Sequence, residues 1–88
     1  SSLYTESENA YMRWLNDQQT LKLEEENIQL AEQSLFIMLE RMKLGLGNYL
    51  ETKESQSSYE AAFTRLVNAR FNLKESETKL RKLTGEFI

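Results

Sequence analysis

The sequence contains no cysteine, histidine or proline, and only three glycines among its 88 residues. Without cysteine no disulfide can form, so cysteine usage gives no information about the redox compartment. Without histidine or cysteine, thiolate and imidazole chemistry are excluded. An enzyme would then need carboxylate, lysine, tyrosine or serine groups that converge in one pocket. We therefore expect no catalytic activity and no cofactor.

Charge and hydropathy narrow the class of protein further. The net charge is −3 and the pI is about 5.0, and this acidic balance argues against a nucleic-acid surface. No apolar run approaches the ~20 residues that cross a bilayer, and the chain does not start with a secretion signal. If the parent protein is secreted, we expect this chain to be an internal fragment whose membrane contact comes only through other parts of that parent.

The length of the chain suggests that it needs partners. Its 88 residues allow one small domain, and a chain of this size buries a limited fraction of its apolar surface. Two long helices lying side by side bury even less, because each has only one neighbour. We therefore expect the chain to associate with copies of itself or with the rest of a larger protein.

The scarcity of helix breakers predicts two long helices. Glycine and proline are the strongest breakers, and neither interrupts residues 4–44 or residues 49–84. We predict one helix over about each of these ranges, ~50–60 Å long at 1.5 Å per residue. The predicted organisation is one α-helical hairpin over residues 1–88.

Residues 45–48 have the composition of a tight turn. Gly45 can take the left-handed conformation that ends a helix. Asn48 is a good N-cap, and Glu51 three residues later can complete a capping box. A turn this short forces the two helices to run antiparallel. Gly85 is expected to end the second helix.

Apolar residues repeat every seven positions in both predicted helices, and we call this repeat the packing seam. It consists of Trp14, Leu21, Ile28 and Leu35 in the first helix and Tyr59, Leu66, Leu73 and Leu80 in the second. The two sets are symmetric about Gly47, so a hairpin folded there brings them together in layers. A row of small residues would let the backbones approach to ~8 Å; it comprises Ser55, Ala62, Ala69 and Ser76. The predicted fold is all-α, a long antiparallel two-helix coiled-coil hairpin.

A second apolar row runs along the first helix, and we call it the second seam. It consists of Leu23, Leu30, Ile37 and Leu44, about 200° around the axis from the packing seam at 100° per residue. A solitary hairpin needs only one apolar stripe per helix. The second seam therefore favours a helix with a neighbour on each side, as in a helical barrel or an oligomeric bundle. The alternative is that long exposed helices tolerate scattered leucines.

The densest acidic group is not expected to bind metal. Glu24, Glu25 and Glu26 are consecutive, so they spread over roughly 200° of a helix and cannot chelate one ion. We expect a solvated stretch here and no metal site.

The segment around the turn has an ordered set of residues. Residues 40–51 read ERMKLGLGNYLE, and Ser55-Gln56 follows. This segment resembles the tip of the outer membrane efflux proteins related to TolC. The matching residues are Arg41, Gly45, Asn48, Leu50, Glu51 and Gln56. Met42 stands where the family usually has an aromatic residue, and Ser55 where it has alanine. Residues 25–32, 68–71 and 80–85 resemble the flanking helices of the same family.

The resemblance implies a trimeric channel in which each protomer supplies two such hairpins to a periplasmic α-barrel. It implies that the tips meet a periplasmic adaptor protein, which links the channel to an inner-membrane pump or secretion ATPase. The expected location is the periplasmic portion of a Gram-negative outer-membrane protein. Carried onto this sequence, the adaptor-facing residues are Gly45, Leu46, Gly47, Asn48 and Tyr49, with Arg41 and Leu50 beside them. The expected partners are this adaptor and the chain itself, as a trimer in the parent or as a dimer of the fragment.

Two other functions stay open on the sequence. One is a self-associating coiled-coil module with no transport role, which the second seam suits equally well. The other is the hairpin of a periplasmic adaptor, although the Arg-Leu-Ser-type tip motif of that family is not found at residues 45–48. At the tip, Leu46 either projects towards a partner or folds back onto Met42 or Leu50.

Overall fold

The computed structural model describes residues 2–85, which form two long helices packed against each other. Helix α1 spans Ser2–Lys43 and helix α2 spans Tyr49–Gly85. The molecule is a rod with extents of 65 × 16 × 13 Å, so the predicted two-helix hairpin is confirmed. Within the described residues, neither helix has a stretch that is long and apolar enough to cross a membrane.

Helix α1 ends in a glycine cap. Gly45 has a φ of +76°, a conformation that L side chains rarely adopt. The Gly45 amide donates a hydrogen bond to the Met42 carbonyl at 3.0 Å, and the Leu46 amide donates one to the Arg41 carbonyl at 2.8 Å. These two bonds are the pair that defines a Schellman motif. They satisfy carbonyl groups that the end of the helix would otherwise leave without partners.

Helix α2 starts on Asn48. The Asn48 Oδ1 atom accepts a hydrogen bond from the Glu51 amide at 2.8 Å, which is the bond an N-cap makes. The Thr52 hydroxyl donates to the Asn48 carbonyl at 3.1 Å. The turn is therefore held from both sides, by the glycine cap of α1 and by the asparagine cap of α2.

The centre of the hairpin is a small apolar cluster. Ile28 of α1 and Ala62 and Leu66 of α2 are buried together, and Leu21, Ala31 and Tyr59 pack against them. The eight residues of the packing seam are all buried or half-buried. The seven-residue spacing therefore correctly predicts residues of the interface between the helices.

The row of small residues lies at the closest approach of the two helices. Ala62 and Ser76 are each 1 % exposed, Ala69 is buried and Ser55 is half-buried. The Ser76 hydroxyl donates a hydrogen bond to the Leu73 carbonyl at 3.1 Å, so it is satisfied within its own helix. No larger side chain could occupy these positions without moving the helices apart.

Candidate partner-binding tip and outer faces

The tip of the hairpin presents a cluster of large apolar side chains to solvent. Leu44, Leu46, Tyr49 and Leu50 are between 64 % and 73 % exposed. At 64 %, most of Leu46 stays uncovered, so its own hairpin does not bury it. Four large apolar residues exposed within one short segment are typical of a surface that contacts a partner.

The backbone of the tip is capped by hydrogen bonds on both sides. A side chain at Gly47 would lie 3.6 Å from atoms of Arg41 and Met42, which is ordinary contact, whereas Gly45 has its positive φ. The conformation of the turn thus depends on Gly45 and much less on Gly47. A guanidinium nitrogen of Arg41 donates to the Leu46 carbonyl at 3.4 Å, so Arg41 supports the loop that carries Leu46.

Basic groups surround the apolar tip. The Lys53 ammonium lies 5.9 Å from the centre of the Tyr49 ring, within the range of a cation–π contact. The Lys43 ammonium lies 3.0 Å from a Glu40 carboxylate oxygen, and Arg41 is exposed. The arrangement suits a partner surface that is apolar at its centre and accepts hydrogen bonds at its edge.

The second seam is uncovered in the single hairpin. Leu23, Leu30, Ile37 and Leu44 are between 54 % and 73 % exposed. On α2, Phe63, Val67 and Phe71 are exposed in the same way. Both helices thus carry apolar residues outside the interface that joins them, and these residues are available to neighbouring helices.

Two acidic side chains lie at the interface between the helices. The seven-residue pattern of apolar residues does not identify them, because it includes no charged positions. The side chains of Asp17 and Glu24 are only 15 % and 13 % exposed. The expectation of a solvated acidic stretch was therefore wrong for Glu24, although Glu25 and Glu26 are exposed. The sequence does contain a pattern that predicts their position. Both acids belong to a row of five residues spaced seven positions apart, namely Ala10, Asp17, Glu24, Ala31 and Met38. Every member of that row is buried or half-buried.

Glu24 is held by two donors. Its Oε1 atom accepts a hydrogen bond from Arg65 Nε of α2 at 3.2 Å and another from Asn27 Nδ2 at 3.1 Å. The bond to Arg65 joins residues 41 positions apart in the sequence. Glu24 therefore links the two helices rather than facing water.

Arg13 makes the second charged link between the helices. Its Nη2 atom donates to Glu75 Oε1 at 2.7 Å, and its Nε atom lies 3.6 Å from Asp17 Oδ2. The hydrogen bond to Glu75 is the main cause that raises the pKa of Arg13 above its ordinary value. Glu75 stands four residues before Lys79, a spacing that allows an ion pair within one helix, but its carboxylate bonds to Arg13 of α1 instead. The Glu77–Arg81 pair does form, at 2.7 Å.

The described surface offers shallow grooves along the helices. One is lined by Phe71, Thr78 and lysines of α2, another by Phe36, Ile37 and polar neighbours on α1. In residues 2–85, no group of three or more acidic side chains is placed to hold a metal ion.

The fold is a coiled-coil hairpin whose tip exposes large apolar side chains. Residues 1–86 match the sequence profile of the outer membrane efflux protein family. The match covers almost the whole chain, so the chain belongs to this family, and the resemblance seen in the sequence is confirmed. No curated protein and no solved structure is detectably similar to the chain.

The family suggests a component of an outer-membrane efflux channel. Its members are outer-membrane efflux proteins of Gram-negative bacteria, and they are transport channels rather than enzymes. They generally form trimers and work with adaptor proteins. The chain is thus a helical hairpin of an efflux-channel family.

Proposed function

We propose that the chain is a periplasmic α-barrel hairpin of an outer-membrane efflux or secretion channel, and that its tip docks a periplasmic adaptor protein in a tripartite export system. The observation that carries this proposal is the exposure of Leu44, Leu46, Tyr49 and Leu50 on a doubly capped turn. Fully burying one leucine contributes ~1.5–3 kcal/mol before the costs of association. A docked tip would therefore gain enough from these side chains to drive a specific contact.

The preorganised backbone supports the same proposal. Because Gly45 and Asn48 fix the turn before any partner arrives, docking requires little ordering of the loop. We assign the contact to Gly45, Leu46, Gly47, Asn48 and Tyr49, flanked by Arg41 and Leu50. The basic groups around the apolar cluster orient the partner rather than supply most of the affinity.

The second seam is assigned to the wall of the barrel. Its four exposed residues lie on the face of α1 that the hairpin interface leaves free. A neighbouring helix of the trimeric channel would cover them, and the seven-residue repeat gives the wall a left-handed supercoil. In this role the chain is not an enzyme, takes no cofactor and binds no nucleic acid.

The second candidate function is a self-associating structural hairpin. The exposed second seam favours it, because two hairpins that buried this seam against each other would form a four-helix bundle. Such a bundle has no need of an exposed apolar tip. Membership of the efflux family argues against the third possibility, the hairpin of an adaptor.

The substitution Leu46→Asp in the intact channel tests the docking proposal. It places a charge at the centre of the apolar tip, and we expect at least tenfold weaker capture of the adaptor and reduced efflux. The helicity of the 88-residue chain should not change, because Leu46 lies outside both helices. Ser57→Asp is the matched control, since it adds the same charge at an exposed position away from the tip. Unchanged efflux and adaptor capture in Leu46→Asp would contradict the proposal.

A further inference from the structure

We infer that the two ion pairs that cross the hairpin, Glu24–Arg65 and Arg13–Glu75, select one register of the two helices. The apolar seam does not make this choice by itself. This role belongs to the hairpin rather than to its docking partner, so it goes beyond the proposed channel function.

The packing seam is nearly unchanged when one helix slides by seven residues. In such a slip, the position of Leu66 is taken by Leu73 or by Tyr59, both of which are members of the seam. The position of Ala62 is taken by Ala69 or Ser55, which are also small. The slip that brings Leu73 to Leu66 also brings Leu83 to the buried position of Ser76, so the small row opposes that direction. In the opposite slip Ala69 takes that position, and the row stays small there. Sequences that repeat every seven residues therefore allow several registers of similar apolar packing.

The ion pairs do not repeat in this way. A slip in one direction brings Asn72 to the position of Arg65 and Lys82 to the position of Glu75. Glu24 then faces an amide, and Arg13 faces a cation of its own sign. A slip in the other direction brings Ser58 and Asn68 to the same two positions. Both charged links are lost in either direction.

Burial makes the loss of these links costly. The side chains of Glu24 and Asp17 are mostly shielded from water, and Asp17 has Arg13 as its ion-pair partner at 3.6 Å. A slipped register would leave the Glu24 carboxylate inside the interface without its cation, whereas Asp17 would keep Arg13, which lies on the same helix. Each link is partly exposed to water, so each alone contributes little, but a slip loses both links at once. The charges thus act mainly against wrong registers.

The two pairs lie far from the turn along the rod. The capped turn fixes the register at residues 44–48, but Glu24 is ~30 Å from that turn and Arg13 ~45 Å, at 1.5 Å per residue. The charged links lie in the half of the hairpin farther from the turn, and they favour the same alignment that the turn sets.

The experiment lengthens the turn so that the two helices can slip, and it measures which register they then adopt. Seven glycine and serine residues are inserted after Leu46 of the 88-residue chain, which allows a slip of one repeat, or ~10 Å. Spin labels are attached to cysteines at Gln19 and Ser57, which are exposed and far apart along the rod. The chain has no cysteine of its own. An excess of unlabelled chain ensures that the measured distances lie within one molecule.

With the native charges, we expect the extended chain to show the same single distance as the chain with its normal turn. With Arg13→Gln and Glu24→Gln together, we expect a second population displaced by roughly 8–10 Å, because the slip is then permitted. The neutral variant with the normal turn is the matched control and should keep one distance. A single native distance in the extended neutral variant would overturn the inference, as would mixed distances with the native charges.

A charge swap tests the same inference without the insertion. In the chain with its normal turn, Glu24→Arg and Arg65→Glu should each lower the midpoint of thermal unfolding. The two together should recover at least half of the summed loss. Failure to recover would show that the pair does not form in solution and would also overturn the inference. Neither experiment involves an adaptor, so failure here would leave the docking proposal untouched.

Discussion

The half of the hairpin next to the turn and the half at its open end hold their helices together differently. Nearer the turn, Ala31 of α1 packs against a cluster formed with Ala62 and Leu66. Towards the open end, the equivalent positions of α1 are occupied by Glu24 and Asp17, and arginines bridge the helices. Apolar packing provides most of the stability, whereas partly exposed ion pairs provide little. Apolar packing also continues to the open end, where Ala10 and Leu83 are buried. The comparison suggests that apolar packing stabilises the hairpin along its length, and that the open half adds charged links that favour one alignment.

The largest expected effect comes from the apolar cluster. Leu66→Ala removes a side chain that is only 5 % exposed, and we expect the free energy of unfolding to fall by ~2–5 kcal/mol. For a hairpin of this size, such a loss would remove most of the helicity at room temperature. Urea unfolding followed by circular dichroism measures it. The neighbouring exposed residue gives the control, since Val67→Ala should change stability by no more than ~0.5 kcal/mol. Equal effects of the two would contradict the assignment of the interface.

The second prediction concerns the row of small residues. Ala62→Leu places a large side chain at the closest approach of the helices, and we expect a loss of ~1–3 kcal/mol from the forced separation. The same substitution at Ala61, which is exposed, should have almost no effect. Thermal unfolding of the two variants makes the comparison. A tolerated leucine at Ala62 would mean that the helices do not approach closely in solution.

The third prediction concerns the glycine cap in the turn that joins the two helices. Gly45→Ala forces a side chain into a φ of +76°, and we expect a loss of ~1–2 kcal/mol. Gly47→Ala is the control, because its side chain would make only ordinary contacts at 3.6 Å. The free energies of unfolding of the two variants should differ by about the full effect at Gly45. If both variants are as stable as the parent chain, the glycine cap is not formed.

The smallest expected effect on stability lies in the open half. Arg65→Gln breaks the link to Glu24, but the Arg65 side chain is 51 % exposed, so we expect a loss of no more than ~1 kcal/mol. Arg70→Gln, at an exposed arginine on the same helix, should change stability by less than ~0.5 kcal/mol. A loss at Arg65 as large as that of Leu66→Ala would overturn the division of roles between apolar packing and the charged links.

The sequence predicts the hairpin well because its strongest signals are local or periodic. The absence of breakers, the glycine at position 45 and the asparagine at position 48 each act within a few residues. The seven-residue spacing in each helix, to which Leu21 and Ile28 of α1 and Leu66 of α2 belong, directly identifies residues of the interface. These signals need no knowledge of which residues meet across the molecule.

What the sequence did not reveal depends on contacts between distant residues. Glu24 looked like one of three solvated acids, because a count of apolar positions overlooks charged residues that share an interface. Glu75 has a possible partner at Lys79 by local spacing, and only the packed hairpin shows that Arg13 reaches it. The orientation of Leu46 depended in the same way on what surrounds the turn. Its exposure now supports the docking proposal.

The most direct test of the docking proposal is site-specific photo-crosslinking in cells. A photo-reactive residue is placed at Leu46 of the intact parent protein, and a second variant carries it at Leu30 of the second seam. We predict that the label at Leu46 captures a periplasmic adaptor protein, whereas the label at Leu30 captures other hairpins of the same channel. Capture of only its own copies, or of nothing, by the label at Leu46 would contradict the account and favour a self-assembling structural hairpin.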